Sequence, residues 1–291
     1  MSTLWQNIHY KMLRSGNKLN LLIGINVIVF LAVNVTAIIE QLFTGFGNST
    51  VLLYSNEYLL LPAYFPKLLT HFWTPLTYMF MHAGILHILF NMLWLYWMGQ
   101  IFEEYLGNKR TIGLYIMGGL AGALVYLLCL NYLPAFSNAH AAIGSTIVGA
   151  SASVMAIVVA TATLLPNYTI SLILIGPVKL KWLVFVILVI DFLGIIGPNA
   201  GGEIAHLGGA LLGFIYIKQL QKGRDWITGI ANIFKSKSKL KVVHHNTGKN
   251  SIEYPRQDEI DRILDKISQS GVDSLSRQEK ETLARASKNE K

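Results

Sequence analysis

The sequence predicts an all-α polytopic membrane protein, a bundle of six transmembrane helices followed by a soluble tail that reads as a small helical hairpin. Three observations carry this. Hydrophobic residues make up 53% of the chain and charged ones only 14%, a balance that excludes an ordinary soluble domain. Six apolar runs approach the roughly 20 residues that a helix needs to cross a ~30 Å hydrocarbon core. The basic residues fall in alternate connections, as the two faces of a membrane require.

In order, the runs are 21–39, 76–102, 111–130, 144–165, 182–196 and 203–220. The fifth is the shortest. Helices are expected because lipid offers no partner to an open backbone, and the alternating segments of a membrane barrel are missing. Lys11, Arg14 and Lys18 precede the first run; Lys109 and Arg110 separate the second from the third; Lys179 and Lys181 separate the fourth from the fifth. Sixteen more Lys and Arg follow residue 217, whereas the three other connections hold only Lys67. Both termini are therefore expected in the cytoplasm and the connections 44–75, 131–143 and 197–202 outside. The first run exceeds a signal-peptide core and lacks a small-residue cleavage site, so it is expected to stay as an anchor. Cys129 is the single cysteine, which excludes an intramolecular disulfide and a cysteine metal cluster.

The chain divides into a cytoplasmic segment 1–19, a membrane domain 20–220, a basic juxtamembrane linker 221–250 and a hairpin 251–291. Lys222, Arg224, Lys235, Lys237, Lys239, Lys241 and Lys249 in the linker face one acid, Asp225, which suits anionic lipid headgroups. In the tail Ile260, Ile263, Leu264 and Ile267 repeat at helical spacing, Gly271 breaks the pattern, and Ser276 with Glu279 has the form of a capping box. The hairpin suits either a protein partner or a purely structural cap.

Polar side chains inside apolar runs are costly unless they have work to do. The second run opens 82-HAGILHILFNMLWLYWMG-99, which puts His82, His87 and Asn91 in its outer half, the last two on one helical face. A metal site fits poorly: the histidine spacing is wrong for one helix face and no carboxylate or cysteine accompanies them. The fourth run begins 144-GSTIVGASASVMA-156, with Ser151 expected about 10 Å below its outer end. The sixth begins 203-EIAHLGGALLG-213, where His206 shares a stripe with Gly209 and Gly213, a pattern that lets membrane helices approach closely. A hydroxyl, a neutral imidazole to take its proton, and amide and imidazole donors for an oxyanion are the parts of acyl-transfer chemistry. Residue chemistry alone does not choose among Ser145, Ser151 and Ser153, and a polar channel or a packing cluster would use the same inventory.

These residues resemble the rhomboid intramembrane serine proteases. His82, His87 and Asn91 are similar to the family's H-x-x-x-x-H-x-x-x-N signature, Gly149 and Ser151 to its G-x-S motif, and Ala205, His206, Gly209 and Gly213 to its A-H-x-x-G-x-x-x-G motif. They fall in order on the second, fourth and sixth runs, and the resemblance covers about residues 20–220. It implies Ser151 as nucleophile, His206 as general base, and His87, Asn91 and backbone N–H near Gly149 and Ser151 as the oxyanion hole. It gives His82, Gly209 and Gly213 supporting roles. Three positions depart from the family pattern: Ala152 stands where glycine is common, Met155 where an aromatic often packs on the base, and Trp73-Thr74 where Trp-Arg is frequent.

Asp191, within the fifth run, is either a helix-to-helix hydrogen bonder or an orienting acid for His206; the resemblance implies a dyad without it. The expected substrates are membrane spans of other proteins that unwind near the outer face, reached through a wet cavity beside the loops 137–145 and 198–203. The first outer loop, with Leu59, Leu60, Tyr64, Phe65 and Trp73, is expected to frame access to it. No cofactor, metal or nucleic-acid partner is expected. The expected location is a bacterial inner membrane.

Overall fold

A computed structural model describes residues 18–136, 141–172, 175–228 and 257–287. Segment 1–17, the basic linker from 229 onward and the first residues of the hairpin segment, 251–256, lie outside the described residues. The chain falls into two compact units, Met1–Ser236 and Lys237–Lys291.

The first unit is helical. Helix α1 (Lys18–Thr44) is followed by the short α2 (Thr50–Leu59), strand β1 (Leu61–Pro62), α3 (Phe65–Thr70), α4 (Thr74–Thr77) and a 3-10 turn at Tyr78–Phe80. Then come α5 (Ile85–Leu106), α6 (Asn108–Tyr132), α7 (Ala141–Gly144), β2 (Thr146–Ile147), α8 (Ser151–Leu164), the hairpin strands β3 (Thr169–Leu172) and β4 (Gly176–Lys179), α9 (Leu180–Gly194) and α10 (Ala200–Gln221). Among the described residues α1, α5, α6 and α10 are long and apolar enough to cross a membrane; α8 and α9 have 14 and 15 residues. This is an all-α polytopic membrane fold, with four candidate spans among the described residues against the six expected from the sequence.

Two of those helices start later than hydropathy predicts, and the site depends on both. Residues 76–84, expected to open the second span, instead form the end of α4, the 3-10 turn and a loop. The segment is tied to α6: the Tyr78 hydroxyl donates to the Gly119 carbonyl at 2.7 Å and the Tyr115 hydroxyl donates to the Met79 carbonyl at 2.8 Å. Residues 144–150, expected to open the fourth span, instead form the end of α7, the two-residue strand β2 and a turn. Ile147 pairs with Leu61 and Thr146 with Pro62, and Ala63 N–H reaches the Ser145 carbonyl at 2.9 Å. Gly149 then takes φ +130, a left-handed value that an L side chain rarely adopts, and α8 begins two residues on.

Helix α8 occupies the middle of the bundle, packed against α5, α6 and α10. Every residue from Ala152 to Ala162 is buried. The approach of α10 is close enough that a Cβ on Gly209 would lie 2.0 Å from the Ala152 carbonyl oxygen and one on Gly213 2.2 Å from that of Ala156. Only glycine fits at a backbone contact of that kind. Helices α1 and α9 instead turn large apolar side chains outward, Ile28, Leu31 and Leu42 on one and Phe185, Ile190 and Leu193 on the other, as lipid-facing helices do.

In the second unit α11 (Gln257–Ser270) buries Ile263, Gly271 turns the chain at φ +77, and α12 (Arg277–Ser287) begins with the capping box expected there. Ser276 N–H donates to Glu279 Oε2 at 2.7 Å, and Glu279 N–H donates back to Ser276 Oγ at 3.3 Å.

Candidate active site

Ser151 is the first residue of α8, so its depth comes from the strand and turn before it and not from two turns of helix. The intrahelical ladder opens with Val154 N–H on the Ala150 carbonyl at 2.9 Å. That leaves the first-turn N–H groups, Ser151's included, without a helical partner at the positive end of the helix. His206 lies six residues into α10, about 9 Å along its axis. The Gly209 and Gly213 contacts hold its helix against α8.

Ser151, His206, His87, Asn91, Asp191 and Met155 line one cavity of about 600 Å³. The other two candidate serines do not line it: the Ser153 hydroxyl is fully buried against Met79 Sδ at 3.9 Å, and Ser145 sits in the strand-side segment. Geometry thus separates three serines that residue chemistry left equal. Met155, in the position where the family often has an aromatic, is buried on the cavity wall one turn after Ser151.

His87 and Asn91 stand in the first two turns of α5, while His82 lies in the loop before it. The Ala83 N–H donates to His87 Nδ1 at 3.3 Å, which makes Nδ1 the acceptor and puts the proton of the neutral ring on Nε2. A Cβ on Gly149 would lie 2.8 Å from that Nε2 and 3.5 Å from Ser151 Oγ, so both atoms border the space that the missing side chain leaves. Asn91 Nδ2 spends one donor on the His87 carbonyl at 2.9 Å and keeps a second. His82 packs edge-on against His87, ring centres 5.2 Å apart.

Gly149 needs a correction. Its N–H, expected to help an oxyanion, donates to the Tyr78 carbonyl at 3.0 Å and is not a free donor. Its contribution is the missing side chain, since a Cβ there would press on His87 at 2.7 Å. Trp73 likewise has an internal partner, its Nε1–H donating to the Tyr58 carbonyl at 2.7 Å. Of the loop expected beside the cavity at 137–145, residues 137–140 lie outside the described residues.

Two carboxylates flank His206. His206 Nδ1 is 3.5 Å from Asp191 Oδ1 and 3.3 Å from Glu203 Oε2. Glu203 was not singled out from the sequence, although it stands three residues before His206, the spacing at which helical side chains meet. One potential ligand atom from each of the three residues lies within 4.8 Å of the others, so among the described residues this trio, and not His82 with His87, is where a divalent cation would find donors. Among the described residues no hydrogen bond joins Ser151 Oγ to His206.

The rhomboid-domain family model matches residues 69–222, just over half of the chain. The chain belongs to the rhomboid family. Residues 249–289 match a second model, a family of unknown function, DUF6576. Similar curated proteins include RHOMBOID-like protein 12, mitochondrial, of Arabidopsis thaliana, 33% identical over 52% of this chain and 47% of its own length. Presenilin-associated rhomboid-like protein A, mitochondrial, of Danio rerio is 30% identical over 47% of this chain and 35% of its own. Rhomboid protease GlpG of Salmonella newport is 35% identical over 21% of this chain and 22% of its own. The chain thus spans less than half the length of each of these relatives. Rhomboids named as mitochondrial stand beside bacterial ones, so membership establishes an integral membrane protein and does not select the bacterial inner membrane expected from the sequence.

Proposed function

We propose that this rhomboid is an intramembrane serine endopeptidase that cleaves peptide bonds in or near the membrane spans of other proteins. The observation that carries the reading is the single cavity in which Ser151, at the start of α8, meets His206, His87 and Asn91 from two other helices. Ser151 Oγ attacks the scissile carbonyl while His206 removes its proton. The charge that develops on the carbonyl oxygen is met by the His87 Nε2–H, the Asn91 amide and the Ser151 N–H. His206 returns the proton to the leaving amine, and water then hydrolyses the acyl-enzyme with the same base. The family relationship and the relative named as a protease support this reading.

The distribution of Lys and Arg orients the site toward the outer face, with both termini and the basic linker on the cytoplasmic side. A substrate span whose helix loosens near the outer face would expose its carbonyls to the cavity.

A second reading, a rhomboid that binds spans without cleaving them, draws on the missing hydrogen bond between Ser151 Oγ and His206. Apo enzymes often tighten such contacts only with substrate bound. A fluorophosphonate probe separates the two. Labelling that maps to Ser151 and vanishes in Ser151→Ala is expected, whereas folded protein that never reacts and never cuts a panel of single-span substrates sinks the protease.

A further inference from the structure

Geometry around the base goes beyond a serine and a histidine. His206 carries one Nδ1 and two carboxylate oxygens crowd it almost equally, Asp191 Oδ1 at 3.5 Å from α9 and Glu203 Oε2 at 3.3 Å from its own helix. Neither acid is there by default. Glu203 is seated from both sides: Asn199 Nδ2 donates to its Oε1 at 3.1 Å, and Gly194, the last residue of α9, leaves the space it fills, since a Cβ there would lie 3.0 Å from Glu203 Cγ. Asp191 is 8% exposed, with its Oδ2 buried and without a partner. An aspartate placed there without an interacting group would be a large unreturned cost, so the contact of its other oxygen with His206 is the compensation the site offers.

We propose that Asp191 and Glu203 are paired positioning residues for His206, interchangeable acceptors of one Nδ1–H, each sufficient to hold the imidazole in the tautomer whose Nε2 carries the lone pair. The proposal rests on the protease reading above. When Ser151 gives its proton to Nε2, the Nδ1–H stays on the ring and the positive charge that forms is met by the two acids; no proton passes to either carboxylate. Because one N–H needs one acceptor, the two acids back each other up. A single neutral replacement leaves the tautomer held.

The test uses full-length protein in bicelles, with a single-span reporter peptide, fluorophosphonate labelling and thermal unfolding read on each variant. Asp191→Asn and Glu203→Gln are each expected to keep kcat within about tenfold. The double variant is expected to lose roughly a hundredfold in kcat at unchanged KM and unchanged melting temperature, the scale of a general base deprived of its orientation. In the Asp191→Asn background Glu203→Asp should recover most of that loss. A double variant with ordinary kcat makes the acids spectators, and a single variant as damaged as the double removes the pairing. A loss confined to KM or to melting temperature makes their role structural. Activity that follows added or chelated Zn²⁺ or Ca²⁺ assigns the trio to a cation instead. Wild-type protein that neither labels nor cleaves would overturn the protease reading before any acid is altered, and this proposal with it.

Discussion

Helices α8 and α9 have almost the same length, 14 and 15 residues, and both are apolar, yet they occupy opposite environments. In α8 eleven successive residues are buried, and they are alanine, serine, threonine, valine, isoleucine and methionine. In α9 only Leu180, Val184 and Asp191 are buried, while phenylalanine, isoleucine and leucine face outward. Where lipid is as oily as the protein interior, the large side chains gain little by hiding and the small ones gain by letting backbones touch. Between these two helices, size separates the buried one from the exposed one. Hydrophobicity does not.

The contrast can be broken most severely at Gly209. A valine there would drive a methyl-bearing carbon into the Ala152 carbonyl, 2.0 Å from the Cβ position, and backbone cannot retreat as a side chain tip can. Gly209→Val should lower stability by about 3 kcal/mol and abolish probe labelling of Ser151; a variant that melts and labels like wild type would dissolve the close-contact account. His87→Ala comes next and acts on chemistry alone. Removing one oxyanion donor should cost roughly a hundredfold in kcat while the melting temperature holds.

A matched pair then sharpens the comparison. Val159→Phe in buried α8 should cost about 1–3 kcal/mol in an unfolding titration, and Val186→Phe on the exposed face of α9 should stay within about 0.5 kcal/mol. Equal costs would mean that the two helices are packed alike.

The smallest effect lies in the tail. The Ser276 N–H, and then the Lys266 ammonium, hold the Glu279 carboxyl down to about 2 from an ordinary 4.5. A group depressed on folding stabilises α12 above its unfolded value, so that stabilisation should be complete above about pH 4.5 and fade as pH falls toward 2. Faster amide exchange across α12 over that window, and none of this pH dependence in Glu279→Gln, is the expected record.

Hydropathy made the all-α membrane fold legible, and motif order made the family legible. What it missed were the two starting points that shape the site. Residues 76–84 and 144–150 are apolar enough to read as helix, but the first is tied down through Tyr78 and Met79 and the second is paired to β1, contacts more than 30 residues away in sequence. Apolar content reports solvent preference and is silent on such long-range pairing. Gly149 was noticed for the right motif and given the wrong task, because the partner of its N–H is Tyr78. Glu203 was visible in the spacing to His206 and passed over as the first residue of an apolar run, whereas its partner Asp191 stood out by being charged within one.

A 14-residue helix is about 21 Å long, some 9 Å less than the oily layer it stands in. The shortfall means that α8 by itself cannot seal the membrane from face to face. At its leading end the missing turns are replaced by β2, the Gly149 turn and the cavity of about 600 Å³ that Ser151 lines, so the short rod gives its first residue an opening that a full-length helix would fill.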